Sequence, residues 1–238
     1  MCGVTGFLQK PSFNELFRTT AHDMVDQLGH RGPDDHGVWV DSDAGIALGH
    51  SRLSIVDVSQ EGHQPMVSAS GRYIISYNGE VYNFIELRGE LDRYGHQFRG
   101  NSDTEVMLAA VEQWGLNAAL DRFVGMFAIA LWDRKQRTLS LVRDRLGIKP
   151  MYYGWSHGNF IFGSELKAIK RHPDFDAEID RNVLSMFFRH NYVPSPWCIY
   201  QGFHKLPPAS ILTVDSPESN PSPVEYWNFK TVAEEGSQ

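Results

Sequence analysis

The chain of 238 residues carries 29 acidic and 22 basic side chains, a formal net charge of −7, and 42% apolar residues. That length suits one large domain with a sizeable core, and the lack of any basic run excludes the electrostatic footprint of a nucleic-acid binder. The longest apolar run, Met126–Trp132, is far too short to span a bilayer, and the N-terminus has no charged-then-apolar secretory pattern.

In chain order, Gly3–Gln9 reads as a short apolar strand. Ser12 and Glu15 make a capping-box pair ahead of Leu16, Phe17, Met24 and Leu28, which follow at roughly helical spacing. After a break at Gly29–Pro33 come strand-like runs at Val38–Val40, Ile46–Leu48 and Tyr73–Tyr77. Phe84, Leu87, Leu91 and Tyr94 mark a second helix, and a third starts near Asp103 and runs to Trp114. Four more strands are expected at Met126–Trp132, Leu139–Arg143, Met151–Gly154 and Phe160–Gly163. A helix then leaves Asp180, an expected N-cap, and passes through Val183, Leu184, Phe187 and Phe188. Asp215–Pro223, rich in Ser and Pro, reads as linker-like, and Thr231–Gln238 as disordered. Strands in runs rather than in alternation with helices predict an α+β fold with mainly antiparallel sheets. Continuously apolar strands such as Met126–Trp132 call for sheets covered on both faces.

The only cysteines are Cys2 and Cys198, so there is no disulfide framework and a reducing, cytoplasmic setting is expected. Cysteine and histidine never fall at zinc-ligand spacing, and His30, His50 and His63 read as structural. Cys198, between Trp197 and Ile199, reads as packing. Cys2 has two readings. As a small hydrophobe at the start of a strand it would simply be buried, and composition alone favours this. If Met1 is removed, however, its thiol and its free α-amine place nucleophile and base on one residue. The amine's reference pKa of about 7.7–8.0 lies close to neutral pH, where a general base works best.

Four stretches bear on that choice: HRGPDDHG from His30, HSRLSIVDVSQEGHQPM from His50, YNGEVYN from Tyr77 and NSDTEV from Asn101. With an N-terminal MCGVTGF they resemble the class II glutamine amidotransferases, which use an N-terminal nucleophile. RDRLGIKPMYY from Arg143, SELKAI from Ser164, YVPSP from Tyr192, KLPPA from Lys205 and YW at Tyr226 narrow the likeness to the asparagine synthetase family. Single pieces are weak signals, but the ordered series over residues 2–229 is specific.

Some of these residues have a chemical reading of their own. Arg52 has a planar fork suited to a carboxylate, although a solvated strand arginine would look the same. Asn78-Gly79 offers a side-chain amide beside a glycine N–H, as an oxyanion needs, or else a hairpin turn. Asp103 would by default be a helix N-cap. The resemblance implies more: a four-layer α-β-β-α sandwich of two mainly antiparallel sheets between helices, the N-terminal-nucleophile hydrolase fold. It implies Cys2 as nucleophile, Asn78 and Gly79 as oxyanion hole, and Arg52 as clamp for the glutamine carboxylate. Leu53, Ser54, Ile55 and Val56 would line the same subsite, Asp103 with Glu80 would hold the ammonium, and Arg31 would steady the loop near the nucleophile.

The implied partners are L-glutamine and a synthetase domain or subunit that receives ammonia. No metal or organic cofactor is expected for glutamine hydrolysis; ATP and magnesium would belong to the synthetase part, whose glycine-rich phosphate loop does not occur here. Residues 1–229 then form the amidotransferase domain and 230–238 a tail or the start of a linker, and the chain by itself is expected to make no asparagine. Tyr192–Phe203 is a candidate docking stretch, with core packing the competing role for most of it. Two departures from the family pattern are Ala209, where Gly is frequent, and Met151, where Leu is common. Open alternatives are another ammonia acceptor in secondary metabolism and a non-catalytic regulatory domain that kept the fold.

Overall fold

The computed structural model describes residues 1–11 and 16–236, so the capping box expected at Ser12 and Glu15 lies outside the described residues. The chain runs through β1 (Gly3–Leu8), α1 (Leu16–Asp26), β2 (Asp35–Asp41), β3 (Ile46–Arg52), β4 (Met66–Val67), β5 (Tyr73–Val81), α2 (Phe84–Arg93), α3 (Asp103–Trp114) and α4 (Leu116–Arg122). It continues through β6 (Gly125–Asp133), β7 (Thr138–Arg143), β8 (Tyr152–Ser156), β9 (Asn159–Gly163), α5 (Leu166–Ile169), α6 (Arg181–His190), β10 (Phe203–Lys205), β11 (Ser210–Val214), β12 (Val224–Glu225) and α7 (Phe229–Glu235). Two six-stranded sheets result, ordered β10-β8-β9-β1-β3-β2 and β12-β11-β7-β6-β5-β4. Every strand pair in them is antiparallel.

The strand period of two sorts the side chains into three apolar layers. Along β6, Phe127, Ile129 and Leu131 pack against α2, α3 and α4, while Ala128, Ala130 and Trp132 face the other sheet. Val4, Leu8, Ile46, Leu48 and Ile74 meet them in the layer between the sheets. On the far side Phe7 and Ala47 lie under Phe17, Ala21 and Met24 of α1 and Ile169 of α5. Helix, sheet, sheet and helix therefore stack in that order, as expected for an α+β chain. Each large apolar side chain fully buried this way contributes about 1.5–3 kcal/mol.

The same period decides what the site receives. Cys2 continues the alternation of Val4 and Leu8, and His50 and Arg52 continue that of Ile46 and Leu48, all toward the space between the sheets. Ser76 and Asn78 continue Ile74 from the opposite sheet. Two polar ties cross the otherwise apolar layer: the Ser76 hydroxyl donates to the Gly49 carbonyl at 2.9 Å, and His50 Nε2 lies 2.9 Å from the Tyr77 carbonyl.

Several expectations change. Asn78-Gly79 is no hairpin turn; both lie inside β5, opposite Ala128 and Phe127 of β6. The tail expected to be disordered from Thr231 forms α7, capped by the Asn228 side chain on the Lys230 and Thr231 N–H groups. Asp215–Pro223 connects β11 to β12 within one sheet, so it is a loop rather than a linker between units. Helix α6 is capped by Asp180, as its sequence indicates. Ala209 sits at a φ of +52°, the left-handed region that a glycine enters without penalty, which gives the family preference at this position a physical reason. No described helix is long and apolar enough to cross a membrane.

Candidate active site

Cys2 stands at the open end of the inter-sheet layer. Its Sγ lies 3.6 Å from the Leu53 carbonyl and accepts from the Leu53 N–H at 3.4 Å, so β1 and the segment after β3 hold the sulfur between them. Behind it, Arg31 Nε donates to the Cys2 carbonyl at 2.8 Å, and Arg31 Nη1 pairs with Glu165 at 2.8 Å. Burial would raise the Glu165 carboxyl, but hydrogen bonds from Arg31 and His30 outweigh it and hold the group below its usual range. The nitrogen of Cys2 is here a peptide to Met1, whose own amine donates to the Arg31 carbonyl at 3.0 Å. Met1 is more than half exposed. A protease can reach it, and its removal would turn the Cys2 amide into a basic amine.

A cleft of about 160 Å³ opens beside the sulfur, lined in part by Arg52, Leu53, Ile55, Val56, Asn78, Gly79, Glu80 and Asp103. Arg52 ends β3 as expected of a strand arginine, but it is buried rather than solvated. Its Nη1 donates to the Ser59 carbonyl at 2.9 Å and its Nη2 to the Asp57 carbonyl. A Cβ at Gly62 would meet the Arg52 guanidinium, so the guanidinium packs directly on the glycine in this arrangement. Neutral carbonyls orient this cation without cancelling its charge, which leaves it available to an anion.

Asp57 ties the two ends of the cleft together. Its carboxylate accepts from the Ser59 N–H at 2.8 Å and from the Asn101 N–H, just ahead of α3, at 2.8 Å. Hydrogen bonding from Ser59 and from Asn101 holds the Asp57 carboxyl below its usual range. At the start of α3 the cap is Ser102, whose side chain accepts from the Glu105 N–H. Asp103 is thereby released from the capping role and turns inward, accepting from Tyr77 Oη at 2.7 Å and the Val81 N–H at 3.0 Å. Burial raises the Asp103 carboxyl despite those donors, and among the described residues no cation pairs with it.

Asn78 is 1% exposed, and its Nδ2 finds no hydrogen-bond partner among the described residues. Buried donors are nearly always paired, so one left open beside a cysteine points to a ligand atom that completes it. Gly79 is held against β6, where a Cβ would lie 2.1 Å from the Met126 carbonyl.

Two expected residues stand apart from the cleft wall: Ser54 uses its N–H on Asp34 at 2.8 Å, and Arg31 reaches the Cys2 carbonyl from behind. Others in the wall were not singled out from sequence: Asp57, Gly62, Gln64, Tyr77, Thr104, Met126 and Lys149. Gln64 ties β5 to α3, accepting from the Tyr77 N–H at 2.7 Å and donating to Thr104 Oγ1 at 3.3 Å. Gly62 and Gln64 fall within the motif starting at His50, and Tyr77 opens another, so the motif boundaries were the available signal. Cys198 is buried in the outer apolar layer and plays no part here. Among the described residues no cluster of three His, Cys, Asp or Glu side chains could hold a metal ion.

Comparison with known proteins agrees with this geometry. Residues 1–227 match the sequence pattern of the family described as "Glutamine amidotransferase domain". Asparagine synthetase [glutamine-hydrolyzing] 3 of Bacillus subtilis is 40% identical over 234 residues, covering 97% of this chain and 37% of that protein. A putative asparagine synthetase [glutamine-hydrolyzing] 2 of Methanocaldococcus jannaschii is 32% identical over 96% of this chain and 47% of its own length. The chain thus spans between about a third and a half of these relatives. Among solved structures, the glutamine phosphoribosylpyrophosphate amidotransferase of B. subtilis aligns with a TM-score of 0.68 at 17% identity, over 95% of this chain and 49% of that one. At that identity the likeness is one of fold: two antiparallel sheets between helices, as in the N-terminal-nucleophile amidotransferases.

Proposed function

The chain belongs to the glutamine amidotransferase domain family, and from that premise we propose that it hydrolyses L-glutamine to glutamate and ammonia through a γ-glutamyl thioester on Cys2. The observation that carries this reading is the unpartnered Asn78 Nδ2 donor in a cleft that Cys2, Arg52 and Asp103 also line. Arg52 would bind the substrate α-carboxylate, and Asp103 with Glu80 the α-ammonium, with Leu53, Ile55 and Val56 along the wall. The side-chain carboxamide would then reach Cys2.

In the first step the Cys2 thiol proton passes to the Cys2 α-amine as sulfur bonds to the carboxamide carbon. The oxyanion so formed accepts hydrogen bonds from Asn78 Nδ2 and the Gly79 N–H. Collapse breaks the C–N bond, and the leaving nitrogen takes the proton back from the α-ammonium and departs as ammonia. Water then adds to the thioester, the amine again receiving its proton, and glutamate leaves as the thiol is restored. These steps need no metal or organic cofactor. We further propose that the ammonia passes to an ATP- and magnesium-dependent synthetase domain of asparagine-synthetase type, in a reducing cytoplasmic setting. A different acceptor is the second reading, favoured by one observation: Amidase chry2 of Gibberella zeae is also 31% identical over 97% of the chain.

Purified chain that begins at Cys2 is expected to form glutamate and ammonia from glutamine in equal amounts. Cys2→Ala should abolish turnover while calorimetry still detects glutamine binding. Turnover that survives Cys2→Ala would refute the assignment.

A further inference from the structure

The RDRLGIKP stretch is bound up with itself. Asp144 accepts from the Leu146 N–H at 3.1 Å and the Ile148 N–H at 2.9 Å through Oδ1, and from the Lys149 N–H at 2.9 Å through Oδ2. Arg143 closes the loop from the other side, its Nε donating to the Lys149 carbonyl at 2.8 Å and its Nη2 to the Gly147 carbonyl at 2.7 Å. Gly147 meets the turn with a φ of +67°. Both backbone polar groups of Lys149 are thus held by charged side chains of the two residues that open the loop.

The side chain fixed in this way is 5% exposed and lines the cleft beside Cys2. Its Nζ lies 3.5 Å from Met1 Sδ, and among the described residues no carboxylate pairs with it. A thioether is a weak acceptor, so this ammonium is nearly unsatisfied, an arrangement that folding alone does not favour. Among the described residues its one side-chain hydrogen-bond partner is Met1, the residue whose removal frees the Cys2 amine.

We propose that Lys149 is a positioning charge that keeps the Cys2 α-amine in its neutral, proton-accepting form; this rests on the Cys2 reading above. A fixed positive charge opposes the gain of a second one nearby, so the amine keeps its lone pair at lower pH than a free terminus would. The thiol proton can then pass to that lone pair as sulfur attacks, giving an ammonium that the departing nitrogen discharges. Other charged groups face the same residue. Arg31 sits behind its carbonyl and is paired with Glu165, while Arg52, Asp57, Glu80 and Asp103 line the rest of the cleft with Tyr77. Arg31 is paired with Glu165 and Arg52 is turned to carbonyls of the 57–59 segment, whereas Lys149 is the cation whose Nζ contacts Met1 itself.

The test compares wild type, Lys149→Met and Lys149→Arg, each confirmed by intact mass to begin at Cys2. In Lys149→Met the acid limb of kcat/KM for glutamine should move up by about one pH unit, a loss of about tenfold on the acid side. The high-pH plateau should stay within about twofold, and Lys149→Arg should keep the wild-type limb. An unchanged limb, or a loss equal at every pH, overturns the proposal. Nitrogen-15 NMR titration of the Cys2 amine needs no turnover and must show the same displacement; an amine that titrates alike in wild type and Lys149→Met also overturns it. Should wild type prove inactive on glutamine, the Cys2 reading fails by itself, and the NMR titration still decides the role of Lys149.

Discussion

Leaving the Asn78 Nδ2 donor buried without a protein partner is destabilising by about 1–3 kcal/mol. The cleft explains the arrangement if the partner is an oxygen that becomes charged during reaction. Asn78→Ala should then lower kcat by about 10²–10³, roughly 2.7–4 kcal/mol, as for other single oxyanion donors. KM for glutamine should change far less, because the bond strengthens in the transition state. Steady-state kinetics checks this, and an equal loss in binding of a ground-state glutamine analogue would reduce Asn78 to a binding residue. At this scale no single residue was decisive in the sequence; the ordered motifs singled out Cys2, Arg52, Asn78 and Asp103, and the structure brings the four to one cleft. Gln64, Tyr77 and Thr104 could not be singled out, because their contribution is hydrogen bonding between β5 and α3, which is a property of the packing. Lys149 was visible only as part of a motif, since nothing local shows that Arg143 and Asp144 aim it into the cleft.

Between elements, the site depends on how β5 sits across from β3. Because a carbonyl can only accept, the 2.9 Å contact of His50 with Tyr77 places a proton on His50 Nε2. Burial lowers the His50 pKa from 6.5 to about 4 and does the same to His172 under α1. Both stay neutral when folded while the unfolded chain binds protons below pH 6.5. Stability is therefore fully present above pH 6.5 and is lost as pH falls toward 4, by about 2 kcal/mol for each histidine at pH 5. Denaturant unfolding at pH 7 and pH 5 should show this loss, and His50→Gln, which keeps a donor without titrating, should remove about half of it. Equal stability at the two pH values would contradict the buried, neutral tie. Strands and long helices were legible in outline because their apolar periodicity is long. The hairpin alternative for Asn78-Gly79 fails, since a turn-forming pair inside β5 is overruled by nine paired residues along β6. The short α4 and α5 and the edge strands β4 and β12 carry too few residues for a period to show.

Across the whole molecule, three apolar layers hold the two sheets and their helices together, and the layer between the sheets opens at one end onto Cys2. The α+β class follows from strand order alone. The pairing order of the sheets does not, because β9 pairs with β1 across more than a hundred residues of intervening chain. The chain covers between about a third and a half of the relatives it matches. The claim on which all else depends is that Cys2, freed of Met1, is the nucleophile. It is tested most directly by inactivating an active preparation with a diazoketone analogue of glutamine and mapping the adduct by mass spectrometry. One adduct per chain is expected, on a peptide that begins at Cys2, formed in step with the loss of glutamine hydrolysis. Full activity in protein that still carries Met1, or an adduct on Cys198 with Cys2 unmodified, would contradict it.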